Sequence, residues 1–247
     1  GGSPGTRYII EHGPIADMAI VGEPTKLEVV VAHKTGCNVK IRTVGRSTHT
    51  SVPHKGVNAI VKMSKLIEAV EEELPKKLSA KTHKFLGTST HCACLISGGV
   101  HHGVVPDSCE LIINLRLIPG ETQESIRKYF KEIIEDIEKK DPEFKAEVEV
   151  SPVGKYLETN ENHQIVHALK DSIRDVMKKE PTVTGVPYWT DGALLSSDGN
   201  IPTIVYGPGN IEQAHSSVEF VSIKETLIAT RVLTLTALRV CGRANLV

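Results

Sequence analysis

The sequence predicts an α/β protein in which a second domain, of α+β type, is inserted into the first. Two observations lead to this prediction. Between residues 27 and 150 the elements follow the order strand, strand, helix, strand, strand, helix, strand, which a layered α+β domain satisfies. On both sides of that region helices alternate with apolar strands, which is the pattern of a parallel α/β sheet.

The first elements are short strands, followed by a helix. Residues 17–21 and 27–33 are apolar runs of strand length, and GCNVKIRTVG alternates apolar and polar residues as a strand with one wet face does. From Asn58 onward apolar residues recur at helical spacing, and Pro75 marks the expected end of that helix.

The later elements are predicted from the same two patterns, strand alternation and helical spacing of apolar residues. Thr122 is followed three residues later by Ser125, which supplies only half of a capping box for the helix that begins there. We expect the final GRANLV to be a loose tail. The remaining predicted elements are strands at 91–97, 109–117, 145–150, 182–185 and 201–207, and helices at 119–142, 161–179 and 223–240.

Composition limits the class of partner. The 247 residues are 40% hydrophobic and 24% charged, with a formal net charge of -1. This composition is typical of a globular protein and gives no electrostatic reason to expect nucleic acid or a membrane surface as a partner. Neither an apolar run of bilayer length nor a signal segment is visible, so we expect a cytoplasmic protein.

The five cysteines are odd in number and show no CxxC spacing, which indicates free thiols rather than a disulfide framework. Cys92 and Cys94 have strand spacing, so both side chains are expected on one face. They could form a metal-binding pair, but burial in a half-buried sheet is the favoured interpretation.

Three loops gather side chains that could do chemistry: VGEPT, VGRSTHTSVPHKG and YGPGNIEQAHSSVEFV. Glu23 and His215 each follow an apolar strand, and ligands of α/β sheets bind beyond the carboxyl ends of the strands. Both residue types are ordinary zinc ligands, but a solvated carboxylate and a hydrogen-bonded histidine are equally ordinary in loops. A serine hydrolase is disfavoured, because no GxSxG elbow is present.

The segments DMAIVGEPT, HKTGCNVKIRTVGRSTHTSVPHKGVNAI and YGPGNIEQAHSSVEFVSI together resemble the M20 family, over residues 1 to about 240. This metallopeptidase and deacylase family includes acetylornithine deacetylases and succinyl-diaminopimelate desuccinylases. The resemblance implies a partial, parallel-sheet catalytic domain at 1–25 and 152–242. Its inserted lid and dimerisation domain, of ferredoxin-like type, would be 26–151. The implied activity is metal-dependent hydrolysis of the amide bond of N-acyl amino acids, by a homodimer.

The resemblance also implies roles for individual residues. Glu23 and His215 would each be a ligand to one of two metal ions, usually zinc, with cobalt or manganese as alternatives. Such a metal pair polarises the amide carbonyl and generates hydroxide near neutral pH. His49 would be the catalytic residue that reaches into the partner's site and stabilises the oxyanion.

The substrate itself would be bound by other residues. Arg116 would hold the substrate carboxylate, and the backbone at Gly207 and Gly209 would line the substrate pocket. The family often has asparagine where Gly103 stands and aspartate where Asn114 stands.

One departure from the family bears on activity. The family's His-x-Asp ligand motif and its Glu-Glu pair, which holds the general base, have no counterpart in this sequence. A single protein ligand cannot build a zinc site. We therefore expect these 247 residues alone to be inactive and poorly metallated, as part of a longer enzyme. The alternative is an inert dimerisation or structural fragment of such an enzyme.

Overall fold

The computed structural model describes residues 3–14 and 16–242, and besides two 3-10 helices it contains six α-helices and nine strands in that part of the chain. In chain order these are α1 (Pro4–His12), β1 (Ala19–Val21), β2 (Val29–His33), β3 (Thr35–Val44), α2 (Ala59–Leu78), β4 (Thr90–Gly98), β5 (Ser108–Leu117), α3 (Gln123–Lys140), β6 (Ala146–Val150), β7 (Leu157–Glu158), α4 (Gln164–Met177), β8 (Val183–Val186), α5 (Gly192–Ser197), β9 (Thr203–Val205) and α6 (Ile223–Cys241).

The chain divides into two compact units. Unit 1 comprises residues 1–34 and 155–247, and unit 2 is the inserted segment 35–154. The sequence placed the start of the insertion at residue 26. In the structure β2 belongs to unit 1, because it pairs with β7, β8 and β9.

Unit 1 is built on a five-stranded sheet with the order β1-β9-β2-β7, in which β8 also pairs with β2. The pairs β1–β9 and β2–β8 are parallel, whereas β2 runs antiparallel to β7 and β9. The α/β class is confirmed, although this sheet is mixed rather than purely parallel. The loops that follow β1 and β9 lie side by side, since these two strands are parallel neighbours.

Unit 2 has the ferredoxin-like arrangement that the family resemblance implies. Its order along the chain is βαββαβ, and its four strands form an antiparallel sheet with the order β4-β5-β3-β6. Both α2 and α3 pack against this sheet and against each other. The core between them is apolar and includes Val39, Ile41, Met63, Leu66, Ile113, Leu115, Ile126 and Phe130.

Some elements differ from the predictions. Helix α2 continues past Pro75, because proline falls in its last turns and the burial of Leu74 and Leu78 holds the helix onto the core. The capping box of α3 is complete, since Ser125 substitutes for the usual Glu or Gln. Elements α1, α5 and β7 were not predicted. Apart from Gly242, the predicted loose tail lies outside the described residues.

The cysteines are free, as predicted, but the predicted burial of Cys92 and Cys94 is wrong. Both side chains are exposed, because β4 is an edge strand that is exposed along almost its whole length. Cys37 and Cys109 are buried, and Cys241 is exposed at the end of α6. Within the described residues, no helix is long and apolar enough to cross a membrane.

Candidate active site

Glu23 lies in the loop that follows β1, and this loop is tied to the chain that follows β9. The backbone N–H of Tyr206 donates to the carbonyl of Val21 at 3.0 Å. The carbonyl of Gly207 accepts from the N–H groups of Thr25, at 3.3 Å, and Leu27, at 3.1 Å. The carboxylate is therefore carried by a loop whose backbone is fixed on both sides.

The side chain of Thr25 reinforces this attachment. It is buried, and its hydroxyl accepts from the N–H of Gly207 at 3.1 Å while donating to the carbonyl of Glu28 at 2.8 Å. The hydroxyl of Tyr188 donates to the carbonyl of Pro24 at 3.0 Å. Every residue from Pro24 to Glu28 thus takes part in a bond that restrains the loop.

Two glycines allow the loops to approach this closely. A Cβ atom at Gly207 would lie 2.5 Å from the carbonyl oxygen of Glu23, which is too close for any side chain. Gly209 has a φ of +88°, and its N–H donates to Glu225 at 2.8 Å. These are the two glycines predicted to line the substrate pocket. By contrast, a Cβ at Gly22 would meet nothing within 4 Å.

The same loop stores backbone strain. Lys26 and Leu27 have φ values of 55° and 61°, in a turn closed by the bond from the N–H of Glu28 to the carbonyl of Thr25 at 3.0 Å. Positive φ at both central positions defines a type I′ turn, which favours Asn or Gly. Each such residue costs of order 1–3 kcal/mol, so the surrounding bonds must hold the conformation.

The electrostatic environment of Glu23 favours a cation. Its side chain is half-buried, and burial together with the nearby charge of Asp191 raises the pKa of the Glu23 carboxyl. Burial and the charge of Glu23 also raise the pKa of Tyr188 to about 12. Asp191 accepts hydrogen bonds from the hydroxyls of Ser3 and Thr6. Two carboxylates close enough to repel each other are stabilised by a positive charge between them.

A buried histidine holds the segment that carries Asp191. His33 is fully buried, its Nδ1 lies 2.9 Å from the carbonyl of Lys34, and its Nε2 accepts from the N–H of Thr190 at 3.3 Å. The ring is therefore neutral with its proton on Nδ1. In agreement, burial lowers the pKa of His33.

His215 belongs to the same unit and follows the short 3-10 helix Ile211–Gln213. Its side chain is exposed, and its φ of 60° lies in the left-handed region. The described residues contain no group of three or more His, Cys, Asp or Glu side chains that could hold a metal ion. Glu23 and His215 therefore do not form a complete metal site with other described residues, and their predicted roles as ligands remain predictions.

His49 lies in unit 2, where its ring orientation is fixed. Its Nδ1 accepts from the backbone N–H of Ser51 at 3.1 Å and lies 2.8 Å from the Ser51 hydroxyl. Because Nδ1 is an acceptor, the neutral ring carries its proton on Nε2. Bonds from the N–H of Thr50 to Gly103, and from the N–H of Val105 to Thr48, anchor the loop. His49 thus presents an exposed N–H donor, as the predicted oxyanion role requires.

Arg116 lies on the exposed face of the unit 2 sheet, opposite Gly36 in the β3–β5 register. A Cβ at Gly36 would lie 3.6 Å from Nη1 of Arg116, so the guanidinium lies over the strand in ordinary packing contact with this position. On the same face, Asn114 donates to the side chain of Asn38 at 2.8 Å. Arg116 is therefore available to a carboxylate, as its predicted role requires.

Comparison with known proteins shows which family the chain resembles. Residues 31–142 match the sequence family described as the M20 peptidase dimerisation domain. An acetylornithine deacetylase from Myxococcus xanthus is 25% identical over 244 residues, and one from Vibrio cholerae (classical Ogawa O395) is 29% identical over 245. The chain is thus similar to the M20 family. The alignments cover 98% and 96% of this chain but only 62% and 61% of these relatives, so the chain spans less than two thirds of their length.

Solved M20 and peptidase structures share the fold. A tripeptidase from Staphylococcus aureus superposes with a TM-score of 0.77 at 22% identity, over 97% of this chain and 61% of that one. An M20 family metallo-carboxypeptidase from Sulfolobus solfataricus gives 0.68 at 17% identity, over 94% and 65%. The predicted resemblance to the M20 family is thus confirmed.

Sequence reasoning missed several residues of the unit 1 site. Asp191 and Tyr188 lie in a polar loop without any apolar period, and their proximity to Glu23 depends on the tertiary fold. The one available signal was an aspartate between a strand and Gly192, where a βα loop often carries polar groups. The buried bonds of Thr25 and His33 left no signal in the sequence.

Proposed function

We propose that the protein containing this chain is a metal-dependent hydrolase that cleaves the amide bond of N-acyl amino acids. The observation that carries the proposal is similarity to acetylornithine deacetylases along 96–98% of the chain. The Glu23 loop supports it, because a preorganised, half-buried carboxylate next to Asp191 is a suitable partner for a cation.

In this proposal Glu23 and His215 each supply one ligand to a pair of metal ions, with zinc as the first candidate and cobalt or manganese as alternatives. The described residues alone do not fit a complete metal site. We therefore assign no chemical step to the metal and restrict the mechanism to the groups that this chain provides.

Those groups bind and orient the substrate. Nε2–H of His49 donates to the carbonyl oxygen where negative charge develops, and the Ser51 contact keeps that proton on Nε2. Arg116 binds the substrate carboxylate, which favours acyl amino acids over neutral amides. The rigid backbone at Gly207 and Gly209 forms one wall of the pocket.

A deacylation screen tests the function. N-acetylornithine, N-succinyl-diaminopimelate and N-acylglutamates would be incubated with the polypeptide encoded by the complete reading frame, with Zn²⁺, Co²⁺ or Mn²⁺ or with a chelator. We expect metal-dependent release of the free amine from at least one substrate. The 247-residue chain is the matched control, and we expect it to be inactive. Metal-independent activity, or no activity on any N-acyl amino acid, would contradict the proposal.

We further propose that the protein is a homodimer that assembles through unit 2. Nearly all of unit 2 falls within the match to the dimerisation domain. Among the described strands, its edge strand β4 pairs on one side only, and the large apolar side chains Leu95 and Ile96 are 64% and 58% exposed. Ile60 and Val61 on α2 are exposed as well. A second copy of the chain would cover this apolar edge, and His49 of one copy would serve the site of the other.

A further inference from the structure

Two exposed thiols lie two residues apart on β4. Cys92 and Cys94 are both exposed, and neither is used in the proposed reaction. Cys241 is the other exposed thiol, but it lies in unit 1 at the end of α6. Because Cys37 and Cys109 are buried, β4 is the place where two accessible sulfur atoms occur together.

An irregularity in β4 lies at the second of these two cysteines. Cys92 pairs with Asn114 and Ala93 with Ile113, but the next paired residue is Leu95, so the register shifts at Cys94. An extra residue of this kind is a β-bulge, which re-aims side chains locally. The Sγ atom of Cys94 turns back to 3.3 Å from the carbonyl oxygen of Cys92. The neighbouring Cys94 thiol raises the pKa of Cys92, as expected for adjacent sulfur atoms.

The number of donors decides which ligand this pair suits. The described residues contain no third Cys, His, Asp or Glu that joins the pair in a metal-binding group. Structural zinc requires four protein ligands, so one chain does not offer a zinc site here. Thiolates select soft ions, so the remaining candidate ligands are soft ones that need only two sulfur donors.

We propose that Cys92 and Cys94 form a dithiol site for thiophilic ligands that bind two sulfur atoms, and that its occupancy and dimerisation exclude each other. The exclusion rests on the proposed dimer, in which a second copy covers β4 and therefore occupies the space beside both thiols. Phenylarsine oxide, a trivalent arsenical, is a suitable probe because it reacts with two thiols at once. Two As–S bonds replace the As=O bond of phenylarsine oxide, and the two thiol protons leave with its oxygen as water, without oxidation or reduction.

The test uses the full chain, equimolar phenylarsine oxide, intact-mass spectrometry and sedimentation velocity. We expect one arsenical per chain. Cys92→Ser and Cys94→Ser should each weaken binding at least tenfold, since a single thiol cannot chelate arsenic, whereas Cys241→Ser should bind as the unmodified sequence does. Bound chains should sediment as monomers and untreated chains as dimers.

The outcomes separate the two parts of the proposal. Undiminished binding by Cys92→Ser or Cys94→Ser would overturn the site. A dimer that persists with one arsenical bound per chain would overturn the exclusion. If the untreated chain is already a monomer, the proposed dimer and the exclusion both fail, while the binding stoichiometry still decides whether the site exists.

Discussion

At the scale of single residues, the main feature is a carboxylate fixed where its charge is unfavourable. Glu23 has a raised pKa because it is half-buried and faces Asp191. Its loop is held by Thr25 and Gly207, and the strained turn at Lys26 and Leu27 persists only because of those bonds. Such strain and electrostatic frustration are typical of functional sites, where a ligand supplies the missing interaction.

The charge of Glu23 has a measurable effect on stability. Since folding raises its pKa, the folded state binds more protons than the unfolded state, and stability falls as pH rises from the ordinary value of 4.5 through the raised one. We expect Glu23→Gln to increase the free energy of unfolding of the metal-free chain at pH 7 by about 0.5 kcal/mol, a value reduced for solvent screening.

Urea unfolding at pH 7 and pH 3 would measure this change. The gain should disappear at pH 3, where the carboxyl is protonated in both states. Glu219→Gln, at an exposed position of the same unit, is the control and should show no change at either pH. Destabilisation by Glu23→Gln at pH 7 would show that the charge is already compensated within the chain.

The two glycines beside Glu23 provide a matched pair of variants. Gly207→Ala places a methyl group 2.5 Å from the carbonyl of Glu23, and we expect a loss of about 1–3 kcal/mol, as for overpacking. Gly22→Ala meets nothing within 4 Å and should be neutral or slightly stabilising. Thermal unfolding of both variants checks this, and equal melting temperatures would mean that the loops do not pack as described.

The sequence drew attention to Glu23 because the residue lies between an apolar strand and a proline, and the family resemblance supplied its predicted role as a metal ligand. It did not identify Asp191, which is 168 positions away and has its effect only because the fold brings it near. Cys92 and Cys94 show the opposite error. Their spacing correctly put them on a strand, but spacing does not tell whether that strand is central or at an edge.

At the scale of elements, hydrophobic periodicity found the helices that bury an apolar face. Helices α2, α3 and α4 each have such a face and were predicted. Helix α1 has no buried residue, α5 has six residues, and β7 has two, so none of them carries a period long enough to detect. The elements that were not predicted are therefore short or exposed, and their composition is not unusual.

An ion cluster joins α2 to the end of α3. Asp141 accepts from Lys62, at 2.7 and 2.8 Å, and from Lys65, at 2.8 Å, and its side chain is only 16% exposed. These hydrogen bonds lower the pKa of Asp141 to about 2. Folding therefore lowers this pKa, so the stabilisation is complete above the ordinary value of 3.8 and is lost as pH falls towards 2.

We expect Asp141→Asn to reduce the free energy of unfolding at pH 7 by about 1 kcal/mol, because the cluster is partly screened by solvent. The difference from the unmodified chain should shrink as pH falls below 3.8. Asp136→Asn, which removes an exposed pair with Lys139, is the control and should leave stability unchanged. Denaturant titration of both variants measures these changes. Equal losses of unfolding free energy in the two variants would contradict a special role for Asp141.

At the scale of the whole molecule, the proposed dimer depends on the exposed apolar edge of unit 2. A double variant, Leu95→Lys with Ile96→Lys, places charges on both faces of β4 and should convert the proposed dimer to monomer. Sedimentation equilibrium would show a dissociation constant at least 100-fold higher, as expected from losing more than about 2.7 kcal/mol of association free energy. In the complete protein, deacylation should fall in parallel, because His49 is proposed to serve the partner's site.

The control for this variant is Leu238→Lys. Leu238 is 62% exposed on α6 in unit 1, so it tests whether any new lysine on an exposed apolar residue affects association. Association should be unchanged in this variant. A dimer that survives the double substitution in β4 would place the interface elsewhere.

The two edges of the unit 2 sheet are unlike, and in the proposed assembly this difference would limit how many copies can join. At the opposite edge from β4, strand β6 carries the exposed carboxylates Glu147 and Glu149. Edge charges of this kind discourage pairing by another strand. If each copy can be joined only through β4, the contact is made by the same patch on both partners and closes with two-fold symmetry. Growth into an open filament would require β6 to accept a strand, so replacing both glutamates with threonine would remove the barrier that keeps the assembly finite.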